Sequence, residues 1–169
     1  VDTPAVAELI HRRAERQGMA RVVVLGALTQ GLSGTHLTEM GALKREGCVG
    51  VSNALKPIIN TEVLRRAFEY AATQDLTVFL NASDPWLSEN GCVHEGVVST
   101  LLGLPGIPEA AETVCVSRDL VLIEQTGVRA HFCQLSTARA VALIRQAKDQ
   151  GLPVSADVTA HHLHLTERD

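Results

Sequence analysis

No apolar run in this sequence approaches the ~20 residues that a membrane span needs, and nothing at its start resembles a signal peptide. A membrane protein is therefore not expected. Basic charge is also in short supply. The chain has 15 Lys and Arg against 19 Asp and Glu, a formal net charge of -4. That leaves no electrostatic footprint for nucleic acid and no polybasic patch for an anionic bilayer. No CxxC pair occurs among the four cysteines, Cys48, Cys92, Cys115 and Cys133. Neither a zinc knuckle nor a disulfide framework is implied; buried free thiols in a cytoplasmic protein are the expectation. No GxGxxG or GxxxxGK[ST] follows any apolar run, which removes the best support for a nucleotide-binding sheet. There is no low-complexity segment and no linker, so residues 1–169 read as a single domain.

What is present is a repeated pattern. An apolar, β-branched run is followed by an amphipathic helix, then by a glycine, then by the next run. Strands are expected at 21–28, 48–52, 76–81, 128–134 and 153–159. Their interiors are nearly continuous apolar runs, as in VVVLGAL and LTVFL, which fits parallel strands covered on both faces. Helices are expected at 4–17, 35–46, from just after Asn60, from about Pro108 to Gly127, and from an N-cap at Ser136 to Gly151. Leu64, Ala67, Phe68 and Ala71 form one apolar stripe, and Ala140, Leu143, Ile144 and Ala147 another. The step between the third and fourth strands is about twice one βα unit. It leaves room for the loop 82–91 and a short helix around 94–102. Successive βα units give either an open doubly wound sheet or a (β/α)8 barrel.

In both architectures chemistry sits at the C-terminal strand ends. Here those ends carry Ser52-Asn53, Asn81, Gln134 and Thr159-Ala160-His161-His162. A metal hydrolase needs imidazole, thiolate or carboxylate there. A neutral amide is a weak zinc ligand and does not titrate usefully as a general base.

Six segments in series resemble the dihydroorotases, specifically the bacterial class with the motifs GALTxGxxG, FSDDGxP, HAED, xLGxPxxPxxAE, HxxHLST and TPHHL. They are GALTQGLSG at 26–34, VSNALKP at 51–57, LNASDP at 80–85, LLGLPGIPEAAE at 101–112, HFCQLST at 131–137 and TAHHLHLTE at 159–167. The resemblance covers essentially the whole chain. It implies an α/β fold, a TIM barrel of amidohydrolase type, with about the third to seventh strands in this chain. A family HxHxR segment would then precede Val1, and a last-strand Asp would follow Asp169.

The departures fall on the family's metal ligands. Asn53 takes the acidic position of SDDG, with Ala54 for its second Asp. Asn81 takes the His of HAED, and Gln134 the second His of HxxHLST. Ser52, Pro57, Asp84, Leu135, Ser136 and Thr137 keep the pattern. The resemblance thus implies that the family's zinc centre is lost. No cofactor is expected, and no residue is assigned a catalytic role. Noncatalytic dihydroorotase-like subunits associate with aspartate transcarbamoylase, so its catalytic subunit is the expected partner, in an oligomer, in pyrimidine biosynthesis. The alternative is an active zinc-dependent cyclic amidohydrolase interconverting dihydroorotate and carbamoyl aspartate, with ligands from outside this segment plus His161 or His162. A binding module that keeps the pocket without the chemistry is the third reading.

Among the remaining residues, His161, His162 and His164 are read first as structural, with a residual pocket at His161 and His162, or a metal site, as alternatives. His131 is expected to be a satisfied core histidine and His94 to mark a helix start. His11 and His36 are expected on solvated helix faces, with Arg12, Arg13, Arg16, Arg65 and Arg66. Trp86, the only Trp, either caps the barrel mouth or anchors a partner or another subunit.

Overall fold

The computed structural model describes residues 1–166; Glu167, the last residue of the TAHHLHLTE motif, lies outside them. The elements follow the expected alternation. They are α1 (Pro4–Gln17), β1 (Leu25–Ala27), a 3-10 turn (Gln30–Leu32), α2 (Met40–Arg45), β2 (Gly50–Ser52), α3 (Thr61–Thr73) and β3 (Thr77–Leu80). After them come β4 (Val93–His94), α4 (Val97–Leu102), β5 (Gly106–Ile107), α5 (Ala110–Thr126), β6 (Ala130–Phe132), α6 (Ala138–Asp149), β7 (Val154–Ala156) and α7 (Ala160–His164).

The main sheet has the order β1-β2-β3-β6-β7, and every pairing is parallel. This order decides between the two architectures left open above. Right-handed crossovers that always step in one direction place all their helices on one face. A doubly wound sheet reverses its order and covers both faces. The unreversed order is that of a barrel wall.

Side-chain alternation agrees. Val51, Val78, Leu80, Ala130, Phe132 and Val154 are buried in one core with Leu64, Phe68, Ala71, Val116, Ile123, Ala140 and Ile144 of α3, α5 and α6. The alternate positions, among them Ser52, Thr77, Phe79, His131 and Ser155, face the other way, toward the lumen. Of the two faces expected to be covered, the helix-facing side is uniformly apolar, while the lumenal side carries Ser52, Thr77, His131 and Ser155. Gly50 lies on the lumenal side and has no room for a side chain. A Cβ there would meet the Phe79 ring and the Thr77 carbonyl oxygen, each at 2.7 Å.

Helix ends are set by local chemistry. The Asn60 side chain accepts from the N–H groups of Glu62 and Val63, closing the first turn of α3. Gly18 and Gly127 end α1 and α5 in the left-handed conformation. Three expectations change. The helix expected at 35–46 begins only at Met40, because Thr38 is drawn back to β1: its N–H donates to the Leu28 carbonyl at 3.1 Å and its hydroxyl to the Ala27 carbonyl at 2.5 Å. His36 therefore lies in a loop, exposed. The α6 cap is Thr137, whose Oγ1 accepts from Ala140 N–H, and not Ser136. Finally, β4 and β5 form a small separate parallel pair within the long β3–α5 excursion, an element too short to show periodicity in the sequence.

Candidate functional site

The C-terminal ends of β3, β6 and β7 open onto a cavity of about 540 Å³, lined by Asn81, His94, Cys133, Gln134, His161 and His162 among others. Two of the strand-end amides, Asn81 and Gln134, therefore meet there. Neither side chain makes a hydrogen bond to another described residue. Asn53 stands apart. It is 6% exposed; its Oδ1 accepts from the Thr29 hydroxyl at 2.7 Å, and its Nδ2 donates to the Lys56 carbonyl at 2.8 Å. It borders, with Asn81 and Asp119, a separate void of about 20 Å³.

These geometries test the donor set for a metal centre at the three amide positions. The Asn53 oxygen is already occupied by a hydroxyl. The other two side chains offer only neutral amide oxygens, and no carboxylate or imidazole stands at any of the three positions. This set does not fit a tightly held zinc centre.

The backbone at these ends is constrained. Ala54, next to Asn53, and Gln134 both adopt left-handed conformations, with φ of 52° and 57°, which non-glycine residues rarely do. At Gln134 the cause is visible: its N–H donates to Asp157 Oδ1 at 2.6 Å across from β7. The following Leu135-Ser136-Thr137 is then clamped by Glu112 of α5. Its carboxylate accepts from Ser136 N–H at 2.8 Å, Thr137 N–H at 2.9 Å and the Thr137 hydroxyl at 2.5 Å. Two motifs far apart in sequence thus form one structural unit that fixes the wall of the cavity.

The histidines are redistributed relative to expectation. His161, His162 and His164 follow the last strand, as expected, and sit on the short helix α7, whose first turn is capped by Thr159. The rings of His161 and His162 stack edge to face at 4.5 Å and line the cavity. His164 is not among the lining residues. His94 is in β4 and exposed, and α4 begins three residues later. His131 is satisfied but not in the core. It is half-buried on the lumenal face, with Nδ1 at 2.8 Å from Ser155 Oγ and Nε2 at 2.9 Å from Asp157 Oδ2. His11 is on α1 as expected and partly exposed, but its Nε2 is buried without a partner among the described residues, against Gly47 ahead of β2. Arg12, Arg65 and Arg66 do lie on helix surfaces, paired with Glu8 and Glu69. Trp86 is 72% exposed, in a loop shaped by Asp84, which accepts from the N–H groups of Trp86 and Leu87.

Two of the four cysteines depart from the expectation of buried thiols. Cys48 and Cys115 are buried, as expected of free thiols, but Cys92 is exposed and Cys133 half-buried at the cavity. Burial raises the Cys133 thiol, and the Asp157 charge raises it further. Asp157 moves the other way: its hydrogen bonds with His131 and with Gln134 N–H lower it. Asp119, almost fully buried on α5, is pushed up to about 6 by desolvation, against the opposing pull of Arg118. Glu112 and Asp157 escaped notice because acidic residues in a helix and near a strand end are ordinary; only the packing shows what they hold.

Comparison with known proteins follows the same lines. Residues 2–140 match the family model described as dihydro-orotase-like. A dihydroorotase-like protein of Pseudomonas aeruginosa is 52% identical over 99% of this chain and 40% of its own length. A protein named dihydroorotase from Syntrophobacter fumaroxidans is 49% identical over 98% of the chain and 38% of its own length. The chain thus spans about two fifths of the curated relatives it matches. Among solved structures, the L-hydantoinase of Arthrobacter aurescens superposes with a TM-score of 0.71 at 16% identity, over 96% of this chain and 38% of that one. A D-hydantoinase superposes with a TM-score of 0.70 at 19% identity, over 99% of this chain and 38% of that one. At those identities the two structures speak to the fold alone. Together with the unreversed parallel sheet, these matches place the chain in the dihydro-orotase-like family, as five strands of an amidohydrolase (β/α)8 barrel.

Proposed function

We propose that this chain belongs to a catalytically inactive dihydroorotase homologue that serves pyrimidine biosynthesis as an assembly partner of the aspartate transcarbamoylase catalytic subunit, in the cytoplasm. The observation that carries this reading is the state of the three strand ends. Asn53 is committed to Thr29 and Lys56, and Asn81 and Gln134 bring only amides to the cavity. A metal-activated water needs a cation held by charged or imidazole donors. With amides there, the positions of Asn53, Asn81 and Gln134 give the hydrolytic centre no anchor at the ends of β2, β3 and β6.

The competing reading, an active cyclic amidohydrolase, draws on the 49% identical relative that is named a dihydroorotase. The two separate in one experiment. The purified full chain, with and without added zinc, is assayed for interconversion of dihydroorotate and carbamoyl aspartate, and mixed with aspartate transcarbamoylase for size-exclusion chromatography. The proposal expects no turnover at any zinc concentration and co-elution of the two proteins. Turnover abolished by a chelator would establish the competing reading, and separate elution would remove the partner.

A further inference from the structure

The lumenal face of β6 and β7 carries a donor set that the amide positions do not. Ala130 and Phe132 turn into the helix-facing core, so His131 and Cys133 share the opposite face. The β6–β7 register pairs His131 with Ser155 and Phe132 with Ala156, which brings Asp157 opposite Cys133. The His131 ring nitrogen, the Cys133 sulfur and an Asp157 carboxylate oxygen all lie within 4.8 Å of one another.

Outer partners already orient these groups. Ser155 Oγ holds His131 Nδ1 at 2.8 Å, which presents Nε2 to the cluster. Gln134 N–H holds Asp157 Oδ1 at 2.6 Å and leaves Oδ2 directed at His131. The Phe79 ring lies 5.4 Å from the His131 ring and walls one side. Cys133 borders the large cavity, so a further position is open to water. Fixing a ligating imidazole and carboxylate through hydrogen bonds to their far atoms is how metal sites are supported.

We propose that His131, Cys133 and Asp157 form a mononuclear zinc site on the lumenal face, built from residues other than the three strand-end amides. Imidazole, thiolate and carboxylate are the donor types that Zn²⁺ prefers. Tetrahedral zinc, with bonds of about 2.0–2.3 Å, puts its donors roughly 3.3–3.8 Å apart. Reaching this takes a rotation about the single χ angle of Cys133 and a slight opening of the His131–Asp157 pair from 2.9 Å. On binding, a Zn–S bond replaces the S–H bond of Cys133 and the proton leaves to solvent. His131 gives up its Asp157 contact for the metal: the proton that Nε2 donated there is carried instead on Nδ1, which donates to Ser155 Oγ, and a cavity water completes the shell.

The site does not depend on the inactive reading above, and its test is spectroscopic. The full chain, reduced and stripped of metal, is titrated with Co²⁺ and then with Zn²⁺. One equivalent of Co²⁺ produces a thiolate-to-cobalt charge-transfer band with intense tetrahedral d–d absorption, and Zn²⁺ displaces both. Cys133→Ser removes the charge-transfer band, and Asp157→Asn weakens Co²⁺ binding by at least about tenfold. Asn81→Ala leaves the spectrum unchanged. Circular dichroism confirms that each variant is folded. In the unaltered chain, Zn²⁺ slows alkylation of Cys133 while the exposed Cys92 reacts at its metal-free rate, a readout that needs no variant. The proposal fails if saturating Co²⁺ gives no sulfur band, if the band survives Cys133→Ser, if it disappears in Asn81→Ala, or if Zn²⁺ leaves Cys133 alkylation unchanged. Dihydroorotate turnover in a Cys133→Ser protein would overturn the proposed function and leave this site to be judged by its own spectrum.

Discussion

At the scale of residues, three amides that read alike in the sequence do different work. Asn53 joins the end of β2 to Thr29 and to its own following turn, whereas Asn81 and Gln134 make no such bonds among the described residues. Removing the Asn53 side chain strands a buried hydroxyl and a carbonyl, a loss of about 2–4 kcal/mol. Asn53→Ala should therefore lower the thermal midpoint clearly. Asn81→Ala and Gln134→Ala should each stay within about 1 kcal/mol of the parent. Differential scanning calorimetry of the three variants decides; equal effects would mean that Asn53 is no more anchored than the others.

Asp119 makes a second residue-scale prediction. Its folded value, about 6, lies above the ordinary 3.8, so the folded state holds the proton more tightly than the unfolded state. This contribution to stability is complete below about pH 4, is lost as pH rises through about 6, and amounts to about 3 kcal/mol. Asp119→Asn removes the ionisation and keeps an oxygen for Arg118. The variant-minus-parent difference in midpoint should rise between pH 4 and pH 7 by up to roughly 10 °C. A difference that does not change with pH would show that Asp119 titrates alike in the folded and unfolded states, so that its burial does not raise it.

At the scale of elements, the apolar stripes of α3 and α6 and the full extent of α1 were legible from spacing, because period and burial coincide there. Strand lengths were not. The run 21–28 contributes only Leu25–Ala27 to the sheet, since ladder pairing depends on where a neighbouring strand runs and not on the run's own composition. The expected helix at 35–46 lost its first turn to Thr38, whose bonds to β1 are tertiary. Glu112 shows what spacing hides: a helix carboxylate fastens the β6–α6 turn through Ser136 and Thr137. Glu112→Gln keeps the size and loses the charge-assisted bonds, at about 2–4 kcal/mol. Urea unfolding should show that loss as a lower midpoint with an unchanged slope. Gly50→Ala is expected to be comparably harmful, because the added methyl meets backbone and ring at 2.7 Å. Urea unfolding of this variant checks it, and a midpoint matching the parent's would show that both the Phe79 ring and the Thr77 carbonyl can move aside.

At the scale of the molecule, the position of the amides decides the functional proposal, and the lumenal cluster qualifies how it is tested. Zinc in a purified preparation would not by itself argue for dihydroorotate chemistry, because the proposed site of His131, Cys133 and Asp157 would take a cation of its own. Activity and metal content must be measured separately, and the Cys133→Ser variant separates them. Among the described residues no helix is long and apolar enough to cross a membrane.

The sequence by itself determined the alternation of strands and helices, the family, and the amide character of three strand ends, because these are properties of residue type, order and spacing. Only the tertiary structure decided that the sheet order never reverses, that Asn53 is turned away from the cavity shared by Asn81 and Gln134, and that a histidine, a cysteine and an aspartate from neighbouring strands share one face. The physical reason is register. Which side chains meet across two strands depends on how the strands are aligned, and a slip of one residue would turn the same residues to opposite faces.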